Sequence, residues 1–467
     1  MQISLLVFSI TSRRQNFRIQ RIEKMDTEQT PFTVKDILRT EVAPALGCTE
    51  PIAIALAAAA AASLMEKDAI EAIEIWVDPN IYKNGVAVAI PGTQGHNGLD
   101  LAAALGALGG VPELRLEVLE PIDDRVVARA RKMVHDARVQ VNLLQDRKGI
   151  FVKAEVRGSG NRAECIIRDL HDNIVSLKRN GEPVSDHPLM RHVAGPDGKT
   201  ELHQVEAWLK SLPLVRLLEL LDDLDGEDLD FIEKGVRFNL RLADYGLKHG
   251  SGLGIGKTLN RLVRQRMLTL DMALAARMLT ASASDARMDG VKLPAMSSAG
   301  SGNHGLTATL PIWAVRDYVE CDHKTVLEAI GLSHIITAHV KSHTGRLSAV
   351  CGCSIAAGAG ATAGISYLLG GDRHHIAGAI TNLTEDLAGV ICDGAKAGCS
   401  LKLATAAGTA VQAALFSLQG IQVKGTDGII STSPEKTMEN VGILSSQGML
   451  ETDRTILKIM LEKQFSI

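Results

Sequence analysis

Aromatic side chains are scarce in this sequence: three Trp, four Tyr and eight Phe in 467 residues. Apolar residues still make up 46% of the chain, so its cores must be aliphatic and rich in alanine. A dominant charge sign is also missing. Fifty Lys and Arg stand against 54 Asp and Glu, a formal net charge of −4 spread along the chain. That balance gives no support for a nucleic-acid partner or an anionic membrane surface. No Cys-x-x-Cys pair occurs among the seven cysteines, which argues against a structural zinc site. No recognisable secretory signal is present either. The apolar run at residues 3–10 lacks a positive lead, and Arg13 and Arg14 follow it rather than precede it. The cysteines are therefore expected to be reduced thiols of a cytoplasmic protein.

Residues 1–24 are Arg-rich and almost free of acids, so an organelle transit peptide is one reading. A disordered extension ahead of a start at Met25 is the preferred one. The uncharged stretch at residues 347–371 is long enough to span a membrane. It consists mostly of Gly, Ala, Ser and Thr, so its transfer energy is weak and a buried core helix is expected.

The chain divides into two unlike halves. In residues 25–212, short apolar stretches at 73–77 and 86–90 read as a strand pair around Asp78, Pro79, Asn80 and Gly85. Val139, Val141 and Leu143 alternate with polar residues. Stretches 151–156, 164–167 and 174–177 follow, separated by turn residues as in an antiparallel meander. Helical patterns at 100–108 and 124–135 interrupt them. In residues 213–467 nearly every segment reads as helix with Gly-rich breaks. The fold class is α+β, with a mixed N-terminal half and a mainly helical C-terminal half. No long linker separates the halves, so they are expected to pack tightly.

Two Gly-rich stretches invite over-reading. Gly252-Leu-Gly-Ile-Gly256-Lys257-Thr258 resembles the end of a phosphate-binding loop, but Ser251 stands where a Gly is needed and no strand precedes it. Gly300-Ser-Gly302-Asn303-His304-Gly305 does not fit the dinucleotide pattern. It can still bring backbone N–H groups to an anion such as a carboxylate.

The cysteines carry more information. Cys48 precedes Thr49-Glu50-Pro51, a strong helix start with Thr49 as N-cap. Cys351-Gly-Cys353 and Cys399 also precede Ala-rich helical runs, with Cys392 just upstream of Cys399. Helix N-termini lower thiol pKa values and favour metal-binding thiolates. Cys165, in a strand candidate, and Cys321 read as small buried hydrophobes. Spacing alone does not separate a metal cluster from a thiol catalyst.

Glu41-Val-Ala-Pro44-Ala-Leu-Gly-Cys48-Thr-Glu-Pro51 closely resembles the opening signature of the L-cysteine desulfidase family. Residues 298–311, the Cys351-Gly-Cys353 loop and Ile391-Cys392-Asp-Gly-Ala-Lys396 extend the resemblance from Met25 onward. That family is related to the alpha chain of iron–sulfur L-serine dehydratases. The resemblance implies a 4Fe-4S cluster held by three cysteines with one iron open, and no pyridoxal phosphate. Its ligands would be Cys48, Cys351 and Cys392, with Cys353 and Cys399 as alternates. The implied reaction is β-elimination from a small amino acid in amino-acid catabolism. His343 and Lys396 are the candidates for the general base, and Ser301 and Asn303 for holding the substrate carboxylate. Each of these has a plain structural reading beside it. Three readings compete: a cysteine desulfidase, a serine or threonine dehydratase, and a clusterless metabolite-binding protein. Self-association into a homo-oligomer is left open.

One outcome separates ligands from core thiols. In anaerobically purified protein, Cys392→Ala is expected to lose bound iron and its visible absorbance, while Cys165→Ala and Cys321→Ala retain both. Full iron content in Cys392→Ala would remove it from the ligand set.

Overall fold

The computed structural model describes residues 31–65, 70–190 and 201–464. The extension expected over residues 1–24 lies outside them. In chain order the N-terminal elements are α1 (Val34–Glu41), β1 (Pro44–Leu46), α2 (Thr49–Ala62), β2 (Ala72–Val77), α3 (Pro79–Gly85), α4 (Leu99–Gly109), α5 (Asp124–His135), β3 (Val139–Leu143), β4 (Phe151–Gly158), β5 (Asn161–Arg168), β6 (Ile174–Arg179) and β7 (Glu182–Pro183). The helical part comprises α6 (Glu201–Ser211), α7 (Leu214–Glu219), α8 (Gly226–His249), α9 (Ile255–Arg264), α10 (Met272–Met288), β8 (Pro294–Met296), α11 (Gly302–Val315), α12 (His323–Thr344), α13 (Gly352–Leu368), α14 (Arg373–Leu387), α15 (Cys399–Leu418), α16 (Pro434–Ile443) and α17 (Leu450–Gln464). The class is α+β, as the sequence pattern predicts.

Alternating strands build a six-stranded sheet of order β3-β2-β4-β5-β6-β7. The β4–β7 run is the predicted antiparallel meander, and β3 joins the far edge parallel to β2. The predicted partner strand at 86–90 does not form. Asp78 accepts hydrogen bonds from the Asn80 and Ile81 N–H groups, and Pro79 takes the first helical position. That cap starts α3 where a turn was expected.

Helices α2 and α4 lie against the sheet and against each other. Every residue of α2 is buried, as a helix without a polar stripe requires. The uncharged stretch around residue 350 forms α13, buried between α11, α12, α14 and α15. Among the described residues one helix, α15, is long and apolar enough to cross a membrane, and 61% of that window is buried inside the protein.

Two large apolar cores result, one around α2 and the sheet and one among the C-terminal helices. Val34, Ile37, Leu38 and Val42, from α1 and just after it, belong to the helical core. Strand β1 pairs antiparallel with β8, Pro44 opposite Met296. The segment 34–42 thus belongs to the helical part, and the chain then crosses to the sheet. The glycines of residues 252–256 serve packing: the Asp285 carboxylate accepts from the Gly256 N–H at 3.0 Å, filling the start of α9. No phosphate loop is left there.

Close helix contact generates the first fold-level prediction. A Cβ on Gly360 of α13 would overlap the Ser333 carbonyl of α12, whereas one on Gly226 would meet nothing. Gly360→Ala should destabilise by about 1–3 kcal/mol through overpacking. Gly226→Ala should be neutral in the same urea titration.

Acid lability gives a second. His334 of α12 is buried against the Ser298 hydroxyl at 3.0 Å, and burial pushes its pKa down to about 4. In the unfolded chain its value is near 6.5, so the unfolded state binds the extra proton between these limits. The stability it contributes is complete above pH 6.5 and is lost as pH falls toward 4. Unfolding midpoints should decline over that window, and His334→Gln should make the decline shallower.

Candidate functional site

Three helix starts point cysteines toward one region. Cys48 is the N-cap of α2, Cys351 is the N-cap of α13, and Cys399 is the first residue of α15. Thr49, expected as the N-cap of α2, is instead its first helical residue. Its hydroxyl donates to the Gly300 carbonyl at 3.3 Å, which joins α2 to the loop before α11. A backbone bridge between Val350 and Ile391 holds the other two loops together. Cys351 N–H donates to Val390 at 2.9 Å and Cys392 N–H to Ala349 at 2.6 Å.

The five thiols are contiguous. Cys351 and Cys353 pack with Leu306, Leu310 and Leu403, and Cys392 and Cys399 border that cluster. Cys48 packs with Val88, Met288 and Cys399. Among the described residues, no three His, Cys, Asp or Glu side chains converge on a single metal ion. An open cavity of about 440 Å³, lined by His96, Asp100, Arg131 and His135, contains none of these cysteines.

Helix dipoles alone do not ionise these thiols. Burial pushes Cys48 well up, helped by the neighbouring Glu50 carboxylate. Burial also raises Cys392, and takes Cys399 to about 11. Cys351 is the exception, lowered to about 5 because the Cys353 thiol donates to it and Ser354 adds its hydroxyl and N–H. The same bond, with burial, holds Cys353 protonated. The expected lowering thus occurs at one position, where hydrogen bonds cause it, and desolvation raises Cys48, Cys392 and Cys399.

Buried polar groups surround the thiols. Glu50 accepts from the Cys48 thiol at 3.1 Å and lies 3.9 Å from His171 Nε2. His171 comes from the β5–β6 turn, is buried, and is kept neutral by that burial. Arg287 of α10 donates to the Gly47 carbonyl at 2.6 Å and to Asn303 Oδ1 at 2.9 Å. Arg346 donates to Glu41 and Glu206. His304, in the first turn of α11, is held neutral by burial with a pKa near 3. Gly352, between the paired cysteines, lies against its ring. Lys341 of α12 is buried, and its ammonium feels the charges of Cys392, Arg346, Cys353 and Cys351.

The other predicted residues fall in different places. Ser301 is the N-cap of α11 but makes no side-chain cap bond. Asn303 is buried at the site with its oxygen accepting from Arg287 and its amide nitrogen 3.5 Å from Met288 Sδ. Lys396 pairs with Asp393 and donates to the Asp393 and Gly394 carbonyls, bracing the loop between Cys392 and Cys399. His343 is not brought to the thiols. It meets His339 edge-on at 5.0 Å and packs beneath α16, with Glu439 and Lys210 as charged neighbours. It lies two residues beyond Lys341, hence toward the opposite side of the helix.

Sequence reasoning missed Glu50, His171, Arg287, His304 and Lys341 as site residues. For Lys341 a signal existed. It lies three and seven residues after Ala338 and His334, on one helical face that is buried throughout.

A family model described as the serine dehydratase alpha chain matches residues 117–458. The match contains Cys351, Cys353, Cys392 and Cys399 and leaves Cys48 outside. A UPF0597 protein of Desulfatibacillum aliphaticivorans is 62% identical over 436 residues, covering 93% of this chain and 99% of the relative. A UPF0597 protein of Clostridioides difficile is 42% identical over 425 residues, 91% and 98% of the two chains. One from Geobacter sulfurreducens is 39% identical over 430 residues, 92% and 98%. By these matches along most of its length, the chain belongs to the serine dehydratase alpha chain family.

Proposed function

We propose that this chain is an iron–sulfur-dependent lyase that converts L-cysteine to pyruvate, ammonia and sulfide by β-elimination. The observation that carries this reading is the convergence of five thiols from three chain segments, at the starts of α2, α13 and α15. The donor set fits a 4Fe-4S cluster. Backbone N–H groups at the starts of α2, α13 and α15 are of the kind that hydrogen-bond to cluster sulfur.

The proposed ligands are Cys48, Cys351 and Cys392. Cys351 is preferred to Cys353 because its separation from Cys392 resembles the family's spacing, and the Val350–Ile391 bridge holds the two loops together. Cys48 and Cys399 are neighbours. The family resemblance favours Cys48, while the Glu50 carboxylate disfavours its thiolate. When bound, such a cluster with one open iron supplies a Lewis acid for the departing sulfur.

The chain's own groups handle the proton. Once Cys48 gives up its hydrogen, Glu50 Oε2 keeps only the Thr49 hydroxyl as donor and can accept the substrate α-proton, and His171 stands beside the other carboxylate oxygen. Asn303 and the Gly47 loop are held in place by Arg287. Elimination leaves an enamine that water hydrolyses to pyruvate and ammonia. The reaction calls for no pyridoxal phosphate, and the substrate is a small amino acid. The family description favours a second reading, loss of hydroxide from L-serine or L-threonine.

Anaerobic turnover decides between them. L-Cysteine should give a higher kcat/KM than L-serine, with sulfide and pyruvate released in equal amounts, because a thiolate is the softer ligand and the better leaving group. In the same assay Cys48→Ala should lose iron and turnover, and Cys399→Ala should keep iron. A preference for serine would move the protein to the dehydratase reading, and a colourless, iron-free protein would end both.

A further inference from the structure

The Arg287 guanidinium is 1% exposed and forms no ion pair among the described residues. Its Nη1 donates to Asn303 Oδ1 and its Nη2 to the Gly47 carbonyl. Its Nε is buried and has no acceptor. Other cations near the thiols differ. Arg346 is held by Glu41 and Glu206, and Lys83 by Asp453. A buried guanidinium short of both an acceptor and a counter-charge is costly. An anionic ligand supplies both.

The unfilled side of the guanidinium faces α11. A Cβ on Gly302, the first residue of that helix, would lie 2.4 Å from Arg287 Nε and 2.8 Å from Nη2. Glycine at this position leaves both nitrogens uncovered. Helix α11 opens without a side-chain cap, and the N–H groups of Gly302, Asn303 and His304 have no acceptor among the described residues. An unpartnered buried cation and unpartnered backbone donors thus meet at one residue. Helix N-termini favour anions. Nε and Nη2 together form an edge of the guanidinium that takes a carboxylate through two parallel bonds, since Nη2 carries a second hydrogen. The Asn303 side-chain oxygen is committed to Arg287, so Asn303 serves such a subsite through its backbone N–H. Proposed cluster ligands border it. Gly47, which Arg287 holds, precedes Cys48, and Gly352, beside Cys351, lies against the His304 ring.

We propose that Arg287 binds the α-carboxylate of the amino-acid substrate through Nε and Nη2, with the open start of α11 as the other half of the subsite. The identity of the substrate rests on the elimination reading above; the subsite itself requires only a small carboxylate. Charge pairing in a dry site then selects ligands that carry a carboxylate over neutral molecules of the same shape.

Calorimetry on the anaerobic, iron-replete protein tests this. Pyruvate carries the carboxylate, pyruvamide is its uncharged counterpart, and cysteamine carries amine and thiol without carboxylate. The natural protein should bind pyruvate more tightly than pyruvamide by about tenfold or more, as the loss of a charged hydrogen bond implies. Arg287→Lys keeps the charge but lacks the two-pronged edge. It should weaken pyruvate binding by a similar factor, about tenfold, while cysteamine binding, iron content and visible spectrum are kept. Gly302→Ala puts a methyl group over the same edge without touching the charge, and should have the same effect if the lysine variant fails to fold. Equal affinity of the natural protein for pyruvate and pyruvamide would overturn the proposal. So would unchanged pyruvate binding in a folded variant. Parallel loss of pyruvate and cysteamine binding would make Arg287 a structural brace only, and loss of iron with pyruvate affinity intact would make it a counter-charge to the cluster. Sulfide release is measured separately. If pyruvate binding depends on Arg287 but L-cysteine yields no sulfide, the subsite stands and the elimination reading falls.

Discussion

The Arg287 guanidinium ties together the three segments on which the site depends. It sits on α10, fully buried, and reaches the Gly47 carbonyl ahead of α2 and the Asn303 amide at the start of α11. Gly302 has no side chain because a Cβ there would overlap this guanidinium. Gly47 carries a positive φ of 75° and backs onto Pro91, a conformation that favours glycine. Charged hydrogen bonds of this kind are stronger than neutral ones. Removing the guanidinium would leave a buried carbonyl and an amide unpaired. Cys48 follows Gly47 directly, so its position relative to the C-terminal cysteines is set by this contact and by the β1–β8 pairing.

Burial then sets the chemistry of the thiols. In an apolar junction a lone thiolate is penalised, so four of the five stay protonated, and Cys351 ionises because Cys353 and Ser354 donate to it. A metal centre changes that balance, since coordination compensates the charge and releases the protons. Affinity for such a centre is therefore coupled to closure of the junction. The proposed ligands come from the start of α2 on one side and from the loops before α13 and α15 on the other, and neither side holds the whole of that proposed set.

Parts of this were legible in the sequence because they follow local rules. Thr-Glu-Pro after Cys48 and the Ala-rich runs after Cys351 and Cys399 placed the cysteines at helix starts. Period-two alternation gave the meander. Asp78-Pro79 was misread because one dipeptide serves both turns and N-caps, and the capping bonds to Asn80 and Ile81 decided it. The β1–β8 pair was invisible, since its strands are three residues each and some 250 positions apart. Asp285 filling the start of α9 was likewise a tertiary fact. Dipole arguments predicted low thiol pKa values but could not weigh burial. Lys396 and His343 were chosen for residue type and nearness in sequence, whereas the structure turns one into a loop brace and the other toward α16.

The distribution of charge across the junction narrows what it can accept. Acids that lie near the thiols are matched or tied: Glu41 by Arg346, Asp393 by two lysines, Glu50 by the Cys48 thiol. Two buried cations, Arg287 and Lys341, form no ion pair among the described residues. A site holding thiols and buried positive charge suits a small anionic ligand, such as a carboxylate, better than a cationic one. It also has room in its chemistry for a soft donor, which sulfur supplies and a hydroxyl does not. A β-thiol amino acid presents both features on adjacent carbons. Scarcity of aromatics fits the same picture. The helices around the site approach through Gly and Ala, and the close packing they permit is what keeps water from the buried charges.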